Sequence, residues 1–218
     1  MKLIVTATCP FALRCIILIA YKQIDCEINP IDLHEKPTWF KEASPLGKVP
    51  LLIDQDKAIF ESHVINDYLD EISQNSLYPS DPFLKAQYKS WIAFSGSLIS
   101  DYFQLLTTDS NNELQHRLEH LTGNLFKMEN EIKLLIENDD KLSMLDISLA
   151  PLFTRINLIE QYYPLNLLKD KPALKQWSKR LLATKVILES LPLNYEEKII
   201  SNILKKGSIA KGVIQKNI

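Results

Sequence analysis

Every strand-like run in this chain lies before residue 61, and none follows the turn-rich stretch Ser76-Leu77-Tyr78-Pro79-Ser80-Asp81-Pro82. That asymmetry alone splits the chain into an α/β layer and an all-helical part. In the first part, Leu3-Ile4-Val5 marks a strand over 2–6, and an unbroken apolar run predicts a helix over 10–22. Cys26 to Leu33 alternates apolar and polar residues, as a half-buried strand does. Lys36-Pro37-Thr38-Trp39-Phe40 starts a short helix, and Ser44-Pro45-Leu46-Gly47-Lys48 is a loop. Val49 to Ile53 and Ala58 to Phe60 read as strands, joined by the turn Asp54-Gln55-Asp56-Lys57. Glu61-Ser62 then opens a helix whose Ile65, Tyr68, Leu69 and Ile72 keep helical spacing. The order over 1–75 is β-α-β-α-β-β-α, with 76–81 as linker and 82–218 as a helical domain.

Asp81 and Pro82 read as N-cap and first residue of a helix reaching about Leu106. Leu114, Leu118, Leu121, Leu125, Met128, Ile132 and Leu135 alternate steps of four and three; this is the stripe of a bundle core, or of a coiled-coil partner helix. Ser143-Met144-Leu145-Asp146 is a capping-box arrangement with Asp in the acidic place. Further helices are expected over 146–160, 172–189 and 195–206. From Lys198 onward the chain carries lysines and no acids, which suits a solvated, fraying terminus.

Net charge is −2, so overall charge makes no case for a nucleic-acid or membrane-surface partner. The five glycines form no phosphate-cradling pattern. Three cysteines, at 9, 15 and 26, contain no C-x-x-C pair, which fits a reducing, cytoplasmic setting and offers neither zinc ribbon nor two-cysteine redox motif. No apolar run has the length of a membrane span. His116 and His120 lie four apart on one helix, but no third ligand suggests itself, so no metal is expected.

Cys9 stands between the first strand and the first helix, with Pro10 in the first helical turn. A cysteine at a helix N-terminus has a lowered pKa and is partly thiolate at neutral pH. The alternative is one more small buried residue.

Four segments decide between the two. Cys9-Pro10-Phe11-Ala12-x-Arg14, Lys36-Pro37-x-Trp39-Phe40 running to Ser44-Pro45-Leu46-Gly47-Lys48-Val49-Pro50, Glu61-Ser62, and Ser143-Met144-Leu145-Asp146 together resemble the cytosolic glutathione transferases, in particular the omega class and its cysteine-type relatives. The resemblance implies a thioredoxin-like N-terminal domain, an all-helical C-terminal domain, a homodimer, and glutathione as co-substrate in the cleft between domains. It implies a cis Val49-Pro50 bond, with the Val49 backbone pairing the cysteinyl unit of glutathione as an added strand would. Ser62 would hold the γ-glutamyl carboxylate at a helix N-terminus, and Glu61 the ligand's ammonium. Lys36, with Lys48 as a second candidate, would meet the glycine carboxylate; both equally suit a solvated surface. Phe11 joins the site through the motif. Trp91 and Tyr102 either line the second-substrate side or fill the bundle.

The expected activity is glutathione-dependent thiol transfer or dehydroascorbate-type reduction through a Cys9 mixed disulfide, acting on a small disulfide or electrophile. Conjugation is disfavoured, because the nearby hydroxyls are only Thr6 and Thr8. The rival is a non-catalytic RNA polymerase-binding regulator resembling stringent starvation protein A, whose members typically have no cysteine at this position. Chloride intracellular channel proteins share the Cys-Pro-Phe motif and rank third. Two departures from the omega pattern are expected: a start without the usual N-terminal extension, and Tyr21-Lys22-Gln23 in place of a glycine-containing turn.

Overall fold

The structure is a computed structural model that describes residues 1–133, 135, 141–206 and 208–217. Its first part runs β1 (Lys2–Val5), α1 (Pro10–Lys22), β2 (Glu27–Pro30), α2 (Thr38–Ala43), β3 (Leu51–Asp54), β4 (Lys57–Phe60) and α3 (Ser62–Glu71). The strands form one sheet in the order β2-β1-β3-β4. β1 runs parallel to β2 and antiparallel to β3, with Leu3 opposite both Ile28 and Leu52. Helices α1 and α3 pack together, while α2 sets Phe40 against Ile4 and Leu51 in a smaller cluster. This is a thioredoxin-like layer.

Several expected boundaries move for identifiable reasons. β2 ends at Pro30 rather than Leu33, because a proline has no N–H to continue an edge ladder; Ile31 N still reaches Val5 O at 2.9 Å. β3 starts at Leu51, after Pro50, for the same reason. The short helix begins at Thr38, with Pro37 as its N-cap. No glycine is needed to end α1: Gln23 itself takes the left-handed conformation (φ 54°, ψ 42°), at a cost of about 1–2 kcal/mol.

The second part is helical: α4 (Pro82–Thr107), α5 (Asn111–Ile132), α6 (Met144–Ile159), α7 (Pro172–Leu182), α8 (Lys185–Glu189), α9 (Tyr195–Leu204) and α10 (Ile209–Ile214). Asp81 caps α4 by accepting from Leu84 N at 2.7 Å. In the α5 stripe, Leu121, Leu125, Met128 and Ile132 are buried in the main core. The single helix expected over 172–189 is two, because Thr184 turns extended and donates its hydroxyl to Arg180 O at 3.0 Å. Nor does the lysine-rich end fray. Ser208 caps α10, Ile209 N donates to Thr108 O at 3.0 Å, and Ala210 and Ile214 are buried.

α6 is the hub of the bundle, buried along nearly its whole length. The Ser143–Asp146 capping box is formed, and the buried Asp146 carboxylate does more than cap. It also accepts from Trp177 Nε1 at 2.6 Å and pairs with Arg180, fastening α7 to α6. The two parts of the chain share one core, and α1 lies against α6. Across that junction the buried Arg14 donates to Ser95 Oγ and Ser148 O, each at 2.8 Å. Among the described residues no helix is long and apolar enough to cross a membrane.

Candidate functional site

Cys9 is the N-cap of α1, with Pro10 at the first helical position. Its sulfur accepts from Ala12 N at 3.4 Å, and its thiol donates to Val49 O at 3.6 Å. The Val49-Pro50 peptide is cis, as the family likeness implied.

The expected thiolate is corrected by the structure. Burial pushes the Cys9 thiol above its ordinary value. The N–H groups of Ala12 and Phe11 oppose that shift, followed by the guanidinium groups of Arg155 and Arg14. The motif alone shows the helix N-terminus that favours a thiolate. It does not show the packing against the main core that dries the site, nor the Val49 carbonyl that accepts the thiol proton.

A groove of about 200 Å³ brings together Phe11, Lys48, Val49, Pro50, Glu61 and Ser62. Lys36 does not line it. Its ammonium lies instead against Gly47, 3.2 Å from where a Cβ there would stand, and Gly47 has φ +59°. Ser44 also lines the groove, and its hydroxyl fixes the loop by bonding both N and O of Lys48 at 3.2 Å. Ser62 is buried at the first position of α3. Glu61 precedes it with φ 68°, a conformation that costs a non-glycine residue about 1–3 kcal/mol and recurs where side chains are aimed at ligands.

A second cavity, about 400 Å³, adjoins the groove and shares Phe11 and Ser100 with it. Thr8 and Pro10 form one wall, and helices α4, α6 and α9 supply the rest. Cys9 sits at the junction: its chain neighbours line the cavity, and its thiol partner Val49 lines the groove. Tyr102 belongs to this cavity, its hydroxyl donating to Arg155 O at 3.1 Å, whereas Trp91 packs edge-on against Phe94. A larger cavity, about 820 Å³, surrounds the linker near Ser76 and Ser143 and contains none of the expected site residues.

Sequence reading missed two residues that hold the loop before Cys9. Arg155 donates to Thr8 O, and Asn202 Nδ2 donates to Thr8 Oγ1 at 2.9 Å. Arg155 left a signal, being the one charged side chain between Ile147 and Ile159. Asn202 left none. Cys15 is buried, its thiol pushed far up chiefly by that burial and directed at Ser62 O, 3.7 Å away. Cys26 is half-buried just before β2. His120 lies 3.4 Å from Asp101, and among the described residues no group of three or more His, Cys, Asp or Glu side chains is arranged to hold a metal ion.

Residues 8–72 match the family model for the glutathione S-transferase N-terminal domain. Glutathione S-transferase omega-1 of Mus musculus is 33% identical over 174 residues, covering 78% of this chain and 71% of the relative. Among solved structures, the Omega 3C glutathione transferase from Trametes versicolor superposes with a TM-score of 0.77, at 20% identity over 87% of each chain. A rice glutathione transferase solved in complex with glutathione superposes with a TM-score of 0.80, at 21% identity over 97% of this chain and 96% of that one.

Proposed function

The chain belongs to the cytosolic glutathione transferase superfamily as an omega-like member, and from that premise we propose that it is a glutathione-dependent thiol transferase with Cys9 as nucleophile. The observation that supports this most is a sulfur at the N-cap of α1, 3.6 Å from Val49 O, at the edge of the Val49–Pro50–Glu61–Ser62 groove. A hydroxyl in that place would activate a glutathione thiol. A cysteine instead suits attack on a sulfur already joined to glutathione.

Glutathione is the co-substrate. Its cysteinyl unit pairs with the Val49 backbone, its γ-glutamyl carboxylate with Ser62, its ammonium with Glu61, and its glycine carboxylate with Lys48 or Lys36. A cysteinyl N–H arriving at Val49 O competes with the Cys9 thiol for that acceptor. Occupancy therefore takes that acceptor away from the thiol, while the N–H groups and guanidiniums that favour the anion remain, set against the burial that favours the protonated form.

In the first step the Cys9 thiolate attacks the glutathionyl sulfur of a mixed disulfide. The S–S bond breaks, its electron pair leaves with the partner thiolate, and Cys9-S-SG remains. A second glutathione thiolate then attacks that disulfide, releasing oxidised glutathione and restoring Cys9. Dehydroascorbate reduction would return through the same intermediate. A homodimer and a cytoplasmic setting complete the proposal, and light scattering of the purified protein tests the first.

The decisive assay is reduction of 2-hydroxyethyl disulfide by glutathione, comparing wild type with Cys9→Ser. Serine keeps the N-cap, so the variant folds. Turnover falls about 100-fold or more in the variant, and mass spectrometry finds a glutathione adduct on Cys9 of the wild type. Wild type that neither binds glutathione nor turns over overturns the reading.

A further inference from the structure

One feature of the second cavity is unexplained by its apolar walls. Phe103, Leu106, Ile159, Ile199 and Ile203 set its character, yet Arg155 also lines it. One Arg155 amine donates to Thr8 O, while its Nε–H is buried with no hydrogen-bond partner. The hydroxyl of Tyr195 lies against the same guanidinium, which is its hydrogen-bonding neighbour. Arg155 forms no ion pair among the described residues, whereas the buried ammonium of Lys22 and the half-buried guanidinium of Arg180 each have a carboxylate. Buried donors left open are uncommon in folded proteins, and the Arg155 Nε–H, on a residue that lines the cavity, calls for a ligand atom.

A guanidinium with an open N–H, set in an otherwise apolar cavity, selects an apolar body that carries an anion. Carboxylates match its planar fork. We propose that the second substrate is a mixed disulfide between glutathione and an aromatic or bulky apolar thiol bearing a carboxylate, and that Arg155 is the residue selecting that carboxylate. The inference rests on the thiol-transfer reading and adds a substrate class to it. The glutathionyl half occupies the groove and the aryl half the cavity, with the S–S bond between them at Cys9, where the two spaces meet through Phe11 and Ser100. When Cys9 takes the glutathionyl sulfur, the electron pair of the broken bond leaves on the aryl sulfur. The departing thiolate then carries two negative charges, one of them already held by Arg155. Glutathione supplies both electrons in the second step, as before.

The test compares two chromogenic substrates that differ mainly by one carboxylate: the glutathione mixed disulfides of 5-thio-2-nitrobenzoate and of 4-nitrothiophenol. Each kcat/KM is divided by the rate constant of the same disulfide with free cysteine, which removes the leaving-group difference. In wild type the normalised ratio favours the carboxylate by about tenfold or more. In Arg155→Gln it falls to about one, and in Arg155→Lys part of it returns. Both substrates share Cys9, so the ratio cancels any change in thiol ionisation. Turnover of both at equal normalised rates in wild type overturns the inference alone, and needs no variant to fold. An unchanged ratio in a folded Arg155→Gln overturns it too. Failure of both substrates, with no glutathione adduct on Cys9, overturns the thiol-transfer reading and this inference together.

Discussion

The groove and the cavity on either side of Cys9 are built on opposite plans. The groove draws most of its lining from a short span of chain, Ser44 to Ser62, with Phe11 and Ser100 added from helices. Positions there are set by loop closure, a proline and a helix start, so few substitutions are compatible with the shape. The cavity gathers residues from Thr8 to Ile203, mostly side chains on helix faces. Helix faces accept many side chains without moving the backbone. One plan suits recognition of an invariant tripeptide, and the other suits a second substrate that changes from relative to relative.

The strongest way to break this comparison is through the frame common to both sites. Asp146 caps α6 and anchors Trp177 and Arg180, and α6 carries Arg155 together with the Ser148 carbonyl that holds Arg14. Asp146→Ala removes the carboxylate that Trp177, Arg180 and the start of α6 share and costs about 3–5 kcal/mol in urea unfolding. In the fraction still folded, glutathione affinity is unchanged. Selective loss at one site with full stability would show that α6 is not a common frame.

Next comes the groove alone. Ser62 is buried, and its hydroxyl is assigned to a carboxylate. Ser62→Ala raises the KM for glutathione by about 10- to 100-fold, the worth of one hydrogen bond to a charged group. Inhibition by an apolar ligand of the cavity stays the same. The reciprocal change is Phe103→Ala. Phe103 lines the cavity but is half exposed, so truncation costs little folding. It lowers kcat/KM for an aromatic disulfide by about tenfold and leaves the glutathione KM within a factor of two. If either variant moves both parameters, the sites are not separable in the way their construction suggests.

The thiol between them responds to the groove. In the free protein the alkylation rate of Cys9 climbs with pH to a midpoint above that of an ordinary thiol, because burial raises it. Saturation with S-methylglutathione, which has no thiol to react, covers the sulfur from the groove side and slows its alkylation. The stability sign follows from the same shift. With its folded value raised, the protonated Cys9 contributes stability at pH below its unfolded value, and that contribution is lost as pH rises through the folded one. Cys9→Ala flattens this alkaline slope in thermal melts.

The contrast also explains what could be read from the residues alone. Cys9 stood out at a helix start, and Val49, Pro50, Glu61 and Ser62 through short contiguous segments that carry the family resemblance. The layers and the linker were legible because their signals too are local in the chain. Arg155 and Asn202 were not, since nothing near them in sequence refers to Thr8, and the contact spans the whole chain. The thiol's protonation was misjudged for a related reason. The helix N-terminus is local information, whereas burial against the main core is not. The split of 172–189 and the docking of α10 depended on single contacts, Thr184 to Arg180 O and Ile209 to Thr108 O, which periodicity does not encode.

The smallest effect separates two lysines, of which the family likeness put Lys36 first and Lys48 second. Lys48 lines the groove, exposed, on a loop fixed by Ser44. Lys36 stands outside it, with its ammonium over Gly47. An exposed ammonium facing a carboxylate through solvent gives a weak, salt-screened attraction. Lys48→Ala therefore raises the glutathione KM by about two- to fivefold at low ionic strength, and the difference shrinks in 0.5 M salt, about the level at which a surface pair is screened. Lys36→Ala changes the KM less than Lys48→Ala does. The reverse order would mean that the 44–48 loop moves when the tripeptide binds, carrying Lys36 to the carboxylate. In that case the groove is shaped by its ligand and loses the rigidity that distinguishes it from the cavity.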